Sequence, residues 1–452
     1  MASVIWAKVL DFARWVIDFL RPWRHSHALE AERIHEIIQC IQQDRAGDLR
    51  QQLFGPLRLL VPESTIQRGY GIVTKTFGPL DSAGAPVINN GWWISSIDIP
   101  LQFQRAQFGL RLQMASGGSL LGLRFLPLHE LGLAEGWQSP SYANSEVVES
   151  EITLGRGHFQ VGGTLCLPPA QANSARSRSP CLIFVAGSGP IDRDSTVLRN
   201  KPFKDLAWGL ACRGIASIRF DKVTHTHPKT FRAQKNVTLT DEYVEHVVDA
   251  LLHAHRHPSI LPDKVFLLGH SLGAVVVPKL ATLDASVAGC ILMAGPADPI
   301  YWSFVRQLRY LQSLDGPEAP YLGKKIEPAQ KQAELADSDS LNLSTPAKKL
   351  PFGIGPAYWI DYRKFDPIVT VKTLEKPVLV LQGRRDYQVT VEDDYEQWQS
   401  ALRGKGNVQF WLYERLNHLF IAGDGPSTPL EYMVPGNVDE QVIDDIAEWV
   451  LQ

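Results

Sequence analysis

The residue best suited to nucleophilic chemistry is a serine at the centre of a glycine-flanked pentapeptide. Ser271 lies in Gly269-His270-Ser271-Leu272-Gly273, which fits the pattern G-x-S-x-G. Small flanking residues allow the strained turn between a strand and a helix on which such a serine is exposed. An apolar, strand-like run at residues 265–268 precedes the motif, and residues 274–280 can begin a helix after it. This context predicts that Ser271 is a nucleophile and not an idle serine in a glycine-rich turn.

A base and a carboxylate are available further along the chain, in the order serine, aspartate, histidine. A nucleophilic serine needs a base to take its proton, and the base needs a carboxylate to orient it. Asp386 follows the apolar run at 378–382, and His418 follows the run at 408–413. In a parallel sheet, the loops after these runs reach the same edge as the serine turn. We predict that Ser271 attacks a carbonyl carbon, His418 transfers the proton, and Asp386 fixes the imidazole tautomer.

Two backbone donors are expected for the oxyanion that such an attack creates. One is the N–H of Leu272, the residue after the nucleophile, and the other comes from a loop after a central strand. Residues 186–190, Ala-Gly-Ser-Gly-Pro, follow the apolar run at 181–185, and their small side chains let the backbone approach a substrate. Ser188 is the first candidate for the second donor, and Gly189 is the next. The stretch does not fit a phosphate-binding loop, because no Gly-Lys-Ser or Gly-Lys-Thr follows it.

The composition is that of a folded protein with ordinary surface charge. The 452 residues include 45 Lys and Arg against 48 Asp and Glu, which gives a net charge of −3. A hydrophobic fraction of 44% supplies enough apolar surface for a core, so intrinsic disorder is excluded as the main state. A nucleic-acid-binding protein needs an excess of basic residues, so no nucleic-acid partner is predicted. Five scattered cysteines without metal-ligand spacing favour a reducing compartment, and we predict a cytoplasmic protein.

Short apolar runs alternate with helical segments in the second part of the chain, which predicts a mostly parallel sheet covered by helices. The runs lie at 181–185, 216–220, 265–268, 287–293, 378–382 and 408–413, after a hairpin at 151–154 and 159–167. Residues 145–452 are therefore predicted to form a catalytic α/β domain. A smaller α+β domain is predicted at 27–130, from a helix at 28–48 and strand-like stretches at 69–77, 92–103, 108–113 and 120–125.

The first 26 residues are predicted to form a separate amphipathic helix. Charged residues recur every three or four positions between residues 1 and 23, which places them on one narrow stripe. The segment carries too many charges to span a membrane. We expect it to pack on the protein's own surface or on the second subunit of a homodimer. The alternative is a peripheral membrane contact through its apolar faces.

Several longer motifs are similar to those of a known family. Residues 187–194, 200–207 and 219–222 resemble the signature of a group of serine esterases in the α/β-hydrolase superfamily. Residues 417–420 and 431–436 are similar to that group as well. The resemblance implies an α/β-hydrolase fold and a carboxylic-ester hydrolase. It implies that the catalytic triad consists of Ser271, Asp386 and His418.

The resemblance also bears on the N-terminal domain. Members of the group often carry an N-terminal cone-like α+β domain related in shape to nuclear transport factor, which suits the domain predicted at 27–130. Two features depart from the pattern. Val223-Thr224 stands where a basic residue is expected before the threonine, so the pocket there is expected to differ. The helix at residues 1–23 has no counterpart in the pattern.

Residues 296–376 are too long for a plain connection between two strands, and they are rich in aromatic residues. They are predicted to form a cap over the site, with Phe352, Tyr358 and Trp359 as substrate contacts. His270, beside the nucleophile, is the fourth predicted contact. The alternative for the aromatic residues is ordinary core packing.

Other polar side chains carry weaker hypotheses. Asp366 is a second candidate for the carboxylate of the triad. A metal site would have to use closely spaced histidines, and the candidates are His225, His227, His253, His255 and His257. No cysteine or carboxylate completes a ligand set for them, and the first two fit a loop near the mouth of the site. Neither a metal nor another cofactor is predicted.

The predicted substrate is a small-molecule ester with an apolar or aromatic group, cleaved through an acyl-serine intermediate. Three alternatives stay open. The same triad serves thioester cleavage or acyl transfer. It also serves cleavage of a carbon–carbon bond next to a ketone, or tailoring of a polyketide-like natural product. From a different class of protein, the chain could be a catalytically idle hydrolase fold used for binding.

Overall fold

The computed structural model describes residues 27–89, 94–104, 106–115, 119–133, 137–144, 146–169, 178–234, 236–314 and 319–452. The chain divides into two compact units, Met1–Gly136 and Trp137–Gln452. The amphipathic helix predicted at residues 1–26 lies outside the described residues, so its packing partner stays a prediction. No helix within the described ranges is long and apolar enough to cross a membrane.

The first unit combines a helical segment with an antiparallel sheet. Its helices are α1 (His27–Gln42), α2 (Ala46–Gln52), α3 (Gly55–Leu60) and α4 (Glu63–Phe77). Its strands are β1 (Leu80–Ala83), β2 (Val87–Asn89), β3 (Ile94–Phe103), β4 (Gln107–Ala115) and β5 (Leu120–Leu126). They pair in the order β1-β3-β4-β5, and β2 also pairs with β3. Alternate residues of β3 form the packed face of this sheet, namely Ile97, Ile99, Leu101 and Phe103.

Two predictions in this unit are wrong in detail. Residues 69–77, predicted as a strand, form the second half of α4, because packing of one helical face outweighs the β propensity of the local sequence. Gly78 ends this helix with φ 81°, and its N–H donates to the carbonyl of Thr74. The single helix predicted at 28–48 is divided into α1 and α2. Asp44, with φ 50°, lies at the break between them.

The second unit is built on an eight-stranded sheet in the order β13-β12-β11-β10-β8-β9-β7-β6. The strands are β6 (Val148–Leu154), β7 (Val161–Leu167), β8 (Ser179–Val185), β9 (Ala216–Phe220), β10 (Ile260–His270), β11 (Val287–Met293), β12 (Val378–Gly383) and β13 (Val408–Tyr413). All neighbours pair in parallel except β6 with β7 and β7 with β9. Every residue of β8 is buried, as expected for a strand covered on both faces. The predicted α/β-hydrolase fold class is confirmed.

Helices cover both faces of this sheet. They are α5 (Pro202–Ala211), α6 (Val223–Thr226), α7 (Pro228–Ala233), α8 (Leu239–Arg256), α9 (Leu272–Leu283), α10 (Ile300–Ser313), α11 (Ala319–Asp337), α12 (Pro356–Tyr362), α13 (Pro367–Thr373), α14 (Glu396–Ala401) and α15 (Glu440–Leu451). The segment from α10 to α13 stands between β11 and β12, at the position of the predicted cap. Short 3-10 turns at Ala347–Lys349 and Pro351–Gly353 precede α12.

The motifs that carry the family resemblance are joined through buried and partly buried polar side chains. Arg219 on β9 pairs with Asp194, and Arg193 pairs with Asp221, which ties residues 187–194 to residues 219–222. Asn200 is fully buried and bridges to the distal motif. Its amide donates to the carbonyl of Tyr432 at 2.7 Å and accepts from the Gly436 N–H at 2.8 Å. The motifs are therefore distant in sequence but joined in one hydrogen-bonded framework.

We expect Asn200→Ala to destabilise the second unit by about 1–3 kcal/mol, because it leaves the buried carbonyl of Tyr432 and the partly buried N–H of Gly436 without partners. The free energy of unfolding in urea measures this loss. Glu448→Ala, at an exposed position of α15, is the control and should change stability by less than about 0.5 kcal/mol. Equal stability of the two variants would show that the Asn200 bridge does not stabilise the fold.

Candidate active site

Ser271 lies at a strained turn between β10 and α9. Its backbone has φ 54° and ψ −120°, a combination that costs a residue with a side chain about 1–3 kcal/mol. The Ser271 N–H donates to the carbonyl of Met293, the last residue of the neighbouring strand β11, at 2.9 Å. Strain of this kind persists only where the surrounding structure imposes it, and it presents the serine side chain at the carboxyl edge of the sheet.

The glycines of the motif are required by close backbone contacts on both sides of the serine. A Cβ atom on Gly269 would overlap the carbonyl group of Gly273 at the start of α9. A Cβ atom on Gly273 would overlap the carbonyl group of Val185 at the end of β8. The helix therefore crosses the two strands at a distance that only glycine permits, and this packing holds the strained backbone of Ser271.

Gly273→Ala should abolish the folded site, because the new methyl group meets backbone atoms of a central strand that cannot move aside. We expect a severe loss of soluble protein or a lower unfolding temperature, measured by circular dichroism. Gly406→Ala is the matched control, since a Cβ atom there meets open space. A Gly273→Ala protein as stable as that control would contradict the tight crossing.

His418 and Asp386 form a buried, hydrogen-bonded pair. The Nδ1 atom of His418 lies 2.7 Å from Oδ2 of Asp386. The other carboxylate oxygen of Asp386 accepts the N–H groups of Gln388 at 2.8 Å and Val389 at 3.0 Å, which fixes its orientation. An ionised carboxylate only accepts hydrogen bonds, so Nδ1 of His418 carries the proton and Nε2 has a free lone pair. This is the tautomer that a general base requires.

His270 lies between the serine turn and the His418 loop. Its Nε2 atom is 2.8 Å from the carbonyl oxygen of His418, and the two imidazole rings are 4.6 Å apart. Burial, with a smaller contribution from His418, lowers the pKa of His270 from 6.5 to about 3. The ring is neutral and donates to the His418 carbonyl. His270 is not among the residues that line the cavity described below, and neither are Ser271 and His418, so its contact with substrate stays a prediction. Its hydrogen bond supports the His418 loop.

The neutral state of His270 predicts a pH-dependent stability. The folded pKa lies below the unfolded value, so the unfolded chain takes up a proton that the native ring refuses, and stability is lost as pH falls below about 6.5. We expect the stability of His270→Gln to fall less steeply with pH than that of the wild type. Between pH 6 and 4 the two slopes should differ by up to about 1.4 kcal/mol per pH unit. Urea unfolding at a series of pH values measures the slopes.

His158→Gln is the control for this experiment, because its ring is exposed to solvent. Its stability should fall with pH as that of the wild type does. Parallel curves for the wild type and His270→Gln would show that the buried ring does not resist protonation.

One cavity of about 840 Å³ brings together most of the remaining predicted residues. Ser188, Gly189 and Leu272 line it on the side of the sheet. Phe352, Tyr358 and Trp359 line it from the segment between β11 and β12. Gly187, in the loop predicted to supply an oxyanion donor, packs so close to Ser271 that an added Cβ atom would lie 3.1 Å from the serine Cβ atom. The cavity therefore borders Leu272, the residue after the serine, with the predicted donors and the aromatic side chains along its walls.

The aromatic residues of the predicted cap divide between the cavity and the core. Tyr301 and Tyr362 pack around Trp359, with ring centroids 5.5 and 5.8 Å from it. They are core residues, as the alternative hypothesis for this segment predicts. Phe352 is half exposed and reaches the cavity with a positive φ of 56°. Asp366 does not approach His418, since it caps α13 by accepting the Val369 N–H at 2.9 Å.

Two residues at this site, Glu242 and Arg232, escaped the sequence analysis, whereas Thr224 was noted there together with Val223. Glu242 is buried at the cavity wall. It lies in the first turn of α8, where an acidic residue is ordinarily explained by the helix dipole, so its sequence position gave no sign of a role at the site. Thr224 and Arg232 also line the cavity, from α6 and α7. Val223, where a basic residue is expected from the resemblance, is buried in the core and has no room for a charge.

The histidines considered as metal ligands are engaged elsewhere. His225 contacts the carbonyl of Pro190 at 3.3 Å, and His227 contacts that of Gln160 at 2.7 Å. His253 and His257 stack on each other, and burial lowers the pKa of both. Across the ranges that the structure describes, no cluster of three or more His, Cys, Asp and Glu side chains is arranged to hold a metal ion.

A mostly parallel sheet, a serine at a strained strand-to-helix turn and a histidine–aspartate pair together define a hydrolase of the α/β class. A family model described as the alpha/beta hydrolase family matches residues 182–430. The chain is similar to Esterase EstD of Thermotoga maritima, with 34% identity over 355 residues, 78% of each protein. The chain therefore belongs to the alpha/beta hydrolase family, and the prediction of a hydrolytic enzyme is confirmed.

Solved structures show lower similarity. The chain resembles Est1E from Butyrivibrio proteoclasticus with a TM-score of 0.43 and 14% identity, over 67% of this chain and 97% of the other. It resembles an acylaminoacyl peptidase from Pyrococcus horikoshii with a TM-score of 0.44 and 12% identity, over 82% of this chain and 56% of the other.

Proposed function

We propose that this enzyme hydrolyses a small carboxylic ester through an acyl intermediate on Ser271. The observation that carries the proposal is the His418–Asp386 hydrogen bond of 2.7 Å, in loops that follow strands parallel to the one that ends at Ser271. A histidine held in the Nδ1–H tautomer, in a loop at the same sheet edge as the serine turn, is suited to general-base catalysis. Similarity to an esterase that matches most of the chain supports an ester as the substrate.

The reaction follows from these groups. Nε2 of His418 takes the hydroxyl proton of Ser271 while Oγ attacks the ester carbonyl carbon. The oxyanion of the tetrahedral intermediate is received by the N–H groups of Leu272 and Ser188. The protonated imidazole then gives its proton to the leaving alcohol, and Asp386 stabilises the imidazolium meanwhile. A water molecule, deprotonated by His418, releases the acid and restores Ser271.

The proposed oxyanion donors are free to act. Leu272 is the first residue of α9, so its N–H has no partner inside the helix. Throughout the described ranges, the N–H of Ser188 meets no protein acceptor. Each such donor contributes about 2.7–4 kcal/mol of transition-state stabilisation in a serine hydrolase.

The cavity favours a substrate with an apolar or aromatic group. Its aromatic wall is formed by Phe352, Tyr358 and Trp359, and Ile300 and Ile354 extend the apolar surface. A volume of about 840 Å³ is in the range of pockets that enclose a small organic molecule. We propose that the acyl or alcohol group with the larger apolar surface packs there. We also propose that residues 27–130 form a separate N-terminal domain with a cone-like shape.

Ser271→Ala should lower the hydrolysis of p-nitrophenyl esters by at least about 10³-fold, because the variant lacks the nucleophile. A graded series of acyl chains measures the size of the pocket in the same assay. Asp386→Asn should lower kcat by about 10⁴-fold through the wrong imidazole tautomer. Ser286→Ala, at an exposed serine, is the control and should keep full activity.

Hydrolysis that survives in Ser271→Ala would overturn the proposed nucleophile. A wild-type protein that neither cleaves esters nor reacts with a fluorophosphonate would indicate an idle hydrolase fold used for binding. Reaction with the fluorophosphonate without ester turnover would favour acyl transfer or carbon–carbon bond cleavage over hydrolysis.

A further inference from the structure

A buried lysine lies directly behind the proposed oxyanion loop. Lys222 follows β9, and only 2% of its side chain is exposed. Its ammonium group contacts three acceptors, the carbonyl oxygen of Gly187 at 2.7 Å, the hydroxyl of Tyr243 at 2.7 Å and the carboxylate of Glu242 at 2.8 Å. An ammonium has three protons, so every one has a partner. Burial lowers the pKa of Lys222, and Glu242 opposes that shift.

The carbonyl group of Gly187 is the point on which these donors converge. It accepts the Tyr243 hydroxyl at 2.8 Å as well as the Lys222 ammonium, so both of its lone pairs are used. This carbonyl belongs to the same peptide group as the N–H of Ser188. In a planar trans peptide the two groups point in opposite directions. Since the carbonyl points at Lys222, the N–H of Ser188 points away from it, on the side where Ser188 lines the cavity.

The segment after Lys222 holds the next carbonyl groups of the same loop. The hydroxyl of Thr224 lies 3.5 Å from the carbonyl oxygen of Gly189. Nδ1 of His225 lies 3.3 Å from the carbonyl oxygen of Pro190. Side chains of this segment therefore lie close to the carbonyl groups of the loop. The ammonium of Lys222 is aimed at the carbonyl group of Gly187, which packs against Ser271.

We propose that Lys222, assisted by Tyr243, is a positioning residue that orients and polarises the Gly187–Ser188 peptide for oxyanion binding. This inference rests on the proposed function, in which the Ser188 N–H is an oxyanion donor. A cation at the carbonyl oxygen draws electron density from the peptide, so the N–H becomes a stronger donor. A donor that is already oriented costs no reorganisation when charge develops on the substrate.

Glu242 keeps this cation in place without removing its effect. Its carboxylate pairs with Lys222 through one oxygen and accepts the hydroxyl of Tyr358 at 2.7 Å through the other. Tyr358 belongs to α12 and lines the cavity. The carboxylate is thus fixed from both sides, and the buried pair carries no net charge, which makes the burial of Lys222 tolerable.

The test compares Lys222→Met, which keeps the length of the side chain but removes the charge and the donors, with the wild type. Active sites are counted with a fluorophosphonate, so that kcat refers to folded enzyme only. We expect kcat to fall by about 10- to 100-fold with KM changed less than about threefold, since an oxyanion donor acts in the transition state. The inhibition constant of an alkylboronic acid, which forms a tetrahedral adduct, should rise by a similar factor.

Lys376→Met is the matched control. Lys376 is also partly buried and donates to a backbone carbonyl, that of Asp284 at 2.6 Å, but it belongs to neither the cavity nor the loop. Its loss should affect stability alone. If the role of Lys222 were purely structural, Lys222→Met would behave like this control. Its unfolding temperature would be lower, and its kcat per active site and its affinity for the boronic acid would be unchanged. That result would overturn the inference and leave the proposed function intact.

Tyr243→Phe decides the question if Lys222→Met does not fold. The variant keeps the aromatic ring but lacks the hydroxyl that donates to the Gly187 carbonyl. We expect kcat and the affinity for the boronic acid each to fall by about tenfold. Unchanged values of both would overturn the inference. A wild-type enzyme inert toward esters and the fluorophosphonate would overturn the proposed function and this inference together, an outcome distinct from the others.

Discussion

The strained backbone of Ser271 is the feature on which the rest of the site depends. It exists because α9 crosses the ends of β8 and β10 at a distance that only Gly269 and Gly273 allow. The hydrophobic core of the second unit supplies the free energy that offsets about 1–3 kcal/mol of strain. Stability and the presentation of Ser271, the proposed nucleophile, are therefore properties of the same packing, and a change at either glycine would affect both.

The sheet turns residues that are far apart in sequence into neighbours. Strands β10, β11, β12 and β13 are adjacent in that order and parallel, so the loops that follow them share one edge. Ser271 follows the first, Asp386 the third and His418 the fourth. On the other side of β10, the loop after β8 brings Gly187 against Ser271. His270 then links the serine turn to the His418 loop through a hydrogen bond that needs no charge.

Much of this arrangement could be predicted from the sequence, because buried parallel strands appear as short, continuous apolar runs. The six central runs, the hairpin before them and the glycine-flanked serine are all found in the structure as predicted. Local pattern was misleading where tertiary contacts decide. Residues 69–77 contain β-branched residues yet complete helix α4. His270 stands next to Ser271 in sequence, and its buried ring is held by a hydrogen bond to the His418 carbonyl, which the sequence does not indicate.

Lys222 illustrates a role that sequence alone cannot reveal. It belongs to a recognisable motif, but nothing in the sequence shows that its ammonium would lie against the Gly187 carbonyl, 35 residues earlier along the chain. The position behind the peptide also has a chemical advantage in the proposed mechanism. An ammonium within the cavity would pair with the carboxylate product and slow its release. Behind the peptide, the ammonium cannot pair directly with the product, and in the proposed mechanism its charge polarises the N–H of Ser188 toward the oxyanion.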